Sequence, residues 1–112
     1  MTADERARGR EVFDPLAESF LAEPGVDIGR MFGTDGLRVR GKIFAFVNSD
    51  GGLTVKVPEA RASELVTDGA AVRMVMRERE MREWVSLSPD AGEERWAALM
   101  GEAFAYLDSI TP

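Results

Sequence analysis

Ile43-Phe44-Ala45-Phe46-Val47, then Asn48-Ser49-Asp50-Gly51-Gly52, then Leu53-Thr54-Val55-Lys56-Val57: the reading of this stretch decides the fold. The first five residues are a nearly continuous apolar run, typical of a central strand buried on both faces. The next five include Asn, Asp and Gly, residues that tolerate positive φ, so they predict a hairpin turn. Beyond the turn, Leu53, Val55 and Val57 share one face while Thr54 and Lys56 take the other, which is the period of a half-exposed strand. Two antiparallel strands are therefore the nucleus around which the rest is read.

Upstream, Leu37 and Val39 alternate with Arg38, Arg40 and, past Gly41, Lys42. Before them Val26, Ile28 and the Met31-Phe32 pair suggest a further strand, closed by the turn Gly33-Thr34-Asp35-Gly36. Four strands joined by short turns form an antiparallel meander. The opening segment, Asp4 to Glu23, carries Phe13, Leu16 and Phe20 at helical spacing. Asp14-Pro15 inside it predicts a kink or a fresh helix start, and Pro24-Gly25 ends it. Downstream, Pro58 opens a helix to about Thr67, and Val72, Met74 and Met76 mark a fifth strand. A turn around Arg79-Glu80 leads to a sixth, Trp84-Val85-Ser86-Leu87. Asp90 with Glu93 reads as a capping box for a last helix, whose stripe is Trp96, Leu99, Met100, Ala103, Leu107 and Ile110. The expected fold class is α+β, a two-layer sandwich in the order α-β4-α-β2-α, with helices packed on a mainly antiparallel sheet. Residues 1–112 make one domain.

Composition narrows the chemistry. The chain has no His and no Cys. That removes disulfides, thiolate nucleophiles and Cys-ligated zinc, together with the commonest general base and metal ligand. The charged N-terminus has no apolar core of a secretory signal, and no apolar run is long enough to span a membrane. A cytoplasmic protein, free of membranes, is the expectation.

Net charge is −6, with most of the acidic excess after residue 56. The segment from Arg30 to Lys42 opposes that trend, carrying Arg30, Arg38, Arg40 and Lys42 against Asp35 alone. Arg38, Arg40 and Lys42 share parity, so a continuous strand would make them a ridge able to contact phosphates or an acidic partner. The plainer reading is a solvated strand that charge protects from edge pairing. Net acidity disfavours nucleic acid as the partner. Lys56, between two valines, is either an anion anchor at a pocket mouth or an ion-pair partner of Glu59 or Glu83. Glu78, Glu80 and Glu83 could hold a divalent cation, yet their alternation with arginines fits a self-neutralising hairpin better.

Met31-Phe32-Gly33, Gly36-Leu37, Gly41-Lys42-Ile43-Phe44-Ala45 and Leu53-Thr54-Val55-Lys56 together form a further pattern. In that order the chain resembles the TfoX N-terminal domain family, named for the TfoX/Sxy regulators of bacterial competence. Thr34 stands where that family has a second glycine. The resemblance implies a fold related to secretion chaperones and a stand-alone regulatory or interaction module. It implies no catalytic residues and no cofactor. The expected function is thus a non-catalytic binding domain with an unidentified protein partner or a second copy of itself. Direct nucleic-acid binding and a small-molecule pocket or weak enzyme near Lys56 are the alternatives.

Overall fold

The computed structural model describes residues 2–31 and 33–112. Its elements are α1 (Thr2–Leu21), β1 (Val26–Met31), β2 (Thr34–Val39), β3 (Lys42–Val47), β4 (Leu53–Lys56), α2 (Glu59–Thr67), β5 (Val72–Met76), β6 (Arg79–Leu87) and α3 (Glu93–Ile110), with a short 3-10 turn at Pro89–Ala91. The order α-β4-α-β2-α is the one expected. All six strands form one sheet in the order β1-β2-β3-β4-β6-β5, and every pairing is antiparallel.

Four local readings need correction. Helix α1 runs without interruption across Pro15, because Asp14 does not start a new helix. Its carboxylate instead accepts a hydrogen bond from Arg10, one turn earlier, at 2.9 Å. Thr34, Asp35 and Gly36 belong to β2, paired with Met31, Arg30 and Gly29, so they lie in the strand and only Gly33 of the expected turn stays outside it. The β5–β6 hairpin turns at Arg77-Glu78, not Arg79-Glu80, with both residues at positive φ. Helix α3 begins at Gly92 without a side-chain cap; Ser88 caps the preceding 3-10 turn instead, accepting from the Asp90 N–H at 3.0 Å.

One irregularity decides which side chains face where. Leu37 pairs with Ala45 and Arg38 with Ile43, so Phe44 is an extra residue in β3. A bulge of this kind turns two neighbouring side chains to the same side. Phe44 and Ala45 both join the cluster beneath the helices, while Ile43 and Phe46 join a second cluster. The first cluster is the main core: Phe13 and Ala17 of α1, Ala62 and Leu65 of α2, and the stripe Trp96, Leu99, Met100, Ala103, Leu107 of α3, against Leu37, Val39, Val47, Leu53, Val55, Val85 and Leu87. Phe44 sits in it between Phe20 and Phe104, with ring centroids 6.0 and 5.6 Å away in edge-on arrangements.

Glycine is required where α1 crosses the β3–β4 turn. A Cβ on Gly9 would lie 2.4 Å from the Gly51 carbonyl oxygen, and one on Gly51 would lie 2.3 Å from that of Glu5. Gly51 also holds a φ of 84°. Helix and turn meet backbone to backbone.

Candidate functional site: the helix-free face

Among the described residues, the second cluster consists of strand residues. Ile43, Phe46 and Trp84 are buried, and Met74 and Met81 pack half-buried against them. Phe46 and Trp84 rings meet with centroids 5.7 Å apart. Gly36 makes room for this packing, because a side chain there would press on Phe46, Ile43 and the Ala45 carbonyl. Beside the apolar patch runs a polar row from adjacent strands: Asn48 donates to Thr54 at 3.1 Å, and Thr54 and Ser86 share a hydrogen bond of 2.8 Å. An apolar centre with a hydrogen-bonded polar border thus lies on the side of the sheet that, among the described residues, no helix covers.

The patch opens into a cleft of about 760 Å³, lined by Lys56, Glu59 and the β6 run Arg79–Trp84. Lys56 and Trp84 are cross-strand partners, and the Lys56 Nζ stands 5.9 Å from the Trp84 ring centre, a cation–π placement. The same Nζ lies 3.8 Å from Glu83 Oε1. Glu83 accepts a hydrogen bond from the Tyr106 hydroxyl on α3. That bond, aided by burial and the carboxylate charge, pushes the phenol above its ordinary pKa. Glu83 therefore links the cleft to the helical layer, holding one phenol and one ammonium. Three cations (Lys56, Arg79, Arg82) and three carboxylates (Glu59, Glu80, Glu83) share the lining, so the cleft is polar but not biased to one sign.

The basic segment comes apart. Arg40 and Gly41 form the two-residue β2–β3 turn, both at positive φ. Arg40 consequently leaves the strand and turns to the end of α3. Its guanidinium donates to the carbonyls of Asp108, Thr111 and Pro112 at 2.7–3.0 Å and pairs with the Asp108 carboxylate at 2.9 Å. A cation there is favoured by the negative end of the helix dipole. Arg38 stays on the strand, lying over Gly29 in a two-pronged pair with Asp27 at 2.7 and 2.9 Å. The pair holds the Asp27 carboxyl below its usual pKa through the Arg38 hydrogen bonds. Arg30 contacts Asp35 at 3.5 Å, and Lys42 is exposed at the start of β3. The three same-parity cations do not form one ridge.

Among the family-motif residues, Gly33 and Gly41 occupy positive-φ turn positions and Gly36 underlies Phe46. Met31 ends β1, and Phe32 lies outside the described residues. Among the described residues, no three His, Cys, Asp or Glu side chains converge as a metal site would need. No helix among them is long and apolar enough to cross a membrane.

What sequence reasoning did not assign to the site were Met81, Arg79, Arg82 and Tyr106. Met81 and Arg82 lie where β5 and β6 fall out of simple register, between the Val75–Glu80 and Arg73–Val85 pairs. Strict alternation cannot place them. Tyr106 lies one residue before Leu107, an apolar stripe position of α3; that spacing alone gives no sign of its bond to a strand carboxylate.

The structural class is an antiparallel α+β sandwich whose second sheet face opens to a mixed-charge cleft. Within that class the chain belongs to the YjbR family, whose sequence model matches residues 21–106. This corrects the TfoX N-terminal resemblance. The shared fragments were turn glycines and β-strand apolar residues. Any tight meander of this length needs those, so they carry little family identity. Neither the curated proteins nor the solved structures include a match to the chain.

Proposed function

We propose that this protein is a non-catalytic binding module that receives a segment of a partner protein on the helix-free face, in the cleft at Lys56, Met81 and Trp84. The observation that carries the reading is the strand-only cluster of Ile43, Phe46 and Trp84, topped by two flexible methionines and opening into a cleft lined by both charge signs. Thioether side chains adapt to varied apolar surfaces, and a mixed-charge rim orients a peptide without demanding a net charge. The lack of His and Cys supports a binding role over catalysis.

A photo-crosslinking residue placed at Met81, with a control at exposed Ala105 on α3, tests this in the cell of origin. The expected result is one discrete adduct from position 81, lost when Lys56→Glu is added, and none from position 105. Equal labelling from both positions, or an adduct indifferent to Lys56→Glu, would overturn the reading. Direct nucleic-acid binding is less well supported, since Arg38 and Arg40 are spent on Asp27 and on the end of α3.

A further inference from the structure

We propose that the free edge of β5 pairs with the same edge of a second copy of this chain, about a two-fold axis near Met74. Two six-stranded sheets would then become one continuous sheet. The sheet has two edges, β1 and β5, and they are unequally protected. Strand β1 carries Asp27 and Arg30, charges of the kind that discourage a docking strand. Strand β5 reads Val72-Arg73-Met74-Val75-Met76, and its single charge is withdrawn. Arg73 points back into its own fold, donating to the Ser63 hydroxyl at 2.6 Å and to the carbonyls of Arg82 and Met81 at 2.6 and 3.3 Å. Val72 and Val75 are left 65% and 60% exposed, the highest values for large apolar side chains among the described residues.

The strand is self-complementary, which is what fits a second copy to it. Antiparallel pairing of identical strands is isologous, so each contact occurs twice. Centred on Met74, it sets Val72 against Met76 of the other copy, apolar on apolar. That row extends the Met74 side of the helix-free cluster across the axis. Arg77 follows the strand and Asp68 precedes it; the register sets Arg77 of each copy opposite Ala71 of the other, three residues from Asp68 and within the span of a long side chain. The assembly closes at two, because it consumes β5 and leaves only the charged β1 edge.

Sedimentation over a range of concentrations tests the pairing. The wild type should move from 12.3 kDa to twice that mass as concentration rises. Val72→Lys with Val75→Lys should weaken association at least about tenfold, with the thermal midpoint unchanged at concentrations where both proteins are monomeric, because both sites are exposed. Arg77→Asp should weaken it too, and adding Asp68→Arg should restore it. That charge-swap pair decides the matter if the lysine variant misfolds. A wild type that stays monomeric throughout, a dimer indifferent to both lysines, or a charge swap without rescue would each overturn the proposal. Because Lys56 and the cleft are untouched by these variants, the outcome is independent of the crosslinking result.

Discussion

Phe44 and Phe46 stand two residues apart in one strand and serve opposite sides of the sheet. Phe44 is enclosed by rings from α1 and α3; Phe46 packs against Gly36, Trp84 and, among the described residues, two half-buried methionines. Ordinary alternation would have put both on one face, and the bulge at Phe44 separates them. One face is thus packed against helices, and the other carries a smaller apolar cluster that, among the described residues, is built from strand side chains. The difference separates the helix-covered core from the face on which binding is proposed.

The contrast can be broken by mutation. Phe44→Ala should cost about 4 kcal/mol in chemical denaturation, since three segments converge on that ring and cannot all close the void. Phe46→Ala should cost about half as much, roughly 2 kcal/mol, because the methionines above it can settle into the space. Equal costs would mean that the open face is as much core as the covered one. Tyr106→Phe should remove on the order of 1 kcal/mol, the net worth of one hydrogen bond.

The Tyr106 variant also has a pH signature. With its folded pKa raised, the phenol contributes its stability in full below its ordinary pKa of 10.0, and that contribution fades as pH rises through the raised value. Wild type should therefore lose stability on the alkaline side more steeply than Tyr106→Phe, in denaturation series at successive pH values. The smallest effect belongs to Arg38→Gln. Its pair with Asp27 lies exposed on the open face, so the thermal midpoint should be nearly unchanged, and wholly so in high salt. A large loss there would show that the open face is braced by charge.

Much of the architecture was legible because the apolar periods of β3, β4 and α3 are regular and the turns at residues 48–52 are rich in Asn, Asp and Gly. Lys56 was legible for the same reason: β4 keeps strict alternation, and its ion pair with Glu83 was one of two anticipated. The Arg40 position was not. A left-handed arginine in a two-residue turn looks, in sequence, like one more outward residue of a strand, and only the turn sends it to the end of α3. The turn at Arg77-Glu78 was missed likewise, since two non-glycine residues at positive φ violate the usual turn chemistry. Both errors arose at the edges of strands, where backbone geometry overrides side-chain type.

The close crossing of Gly9 over Gly51 bears on the order of assembly. The helix that comes first in the chain has its seat on a turn some forty residues later, and that seat does not exist until β3 and β4 have paired. Contacts of such separation carry a loop-closure penalty and form late. The amino-terminal helix should then dock onto a finished meander, as the last piece rather than the first. Gly9→Ala would be felt chiefly as faster unfolding, with the refolding rate little altered.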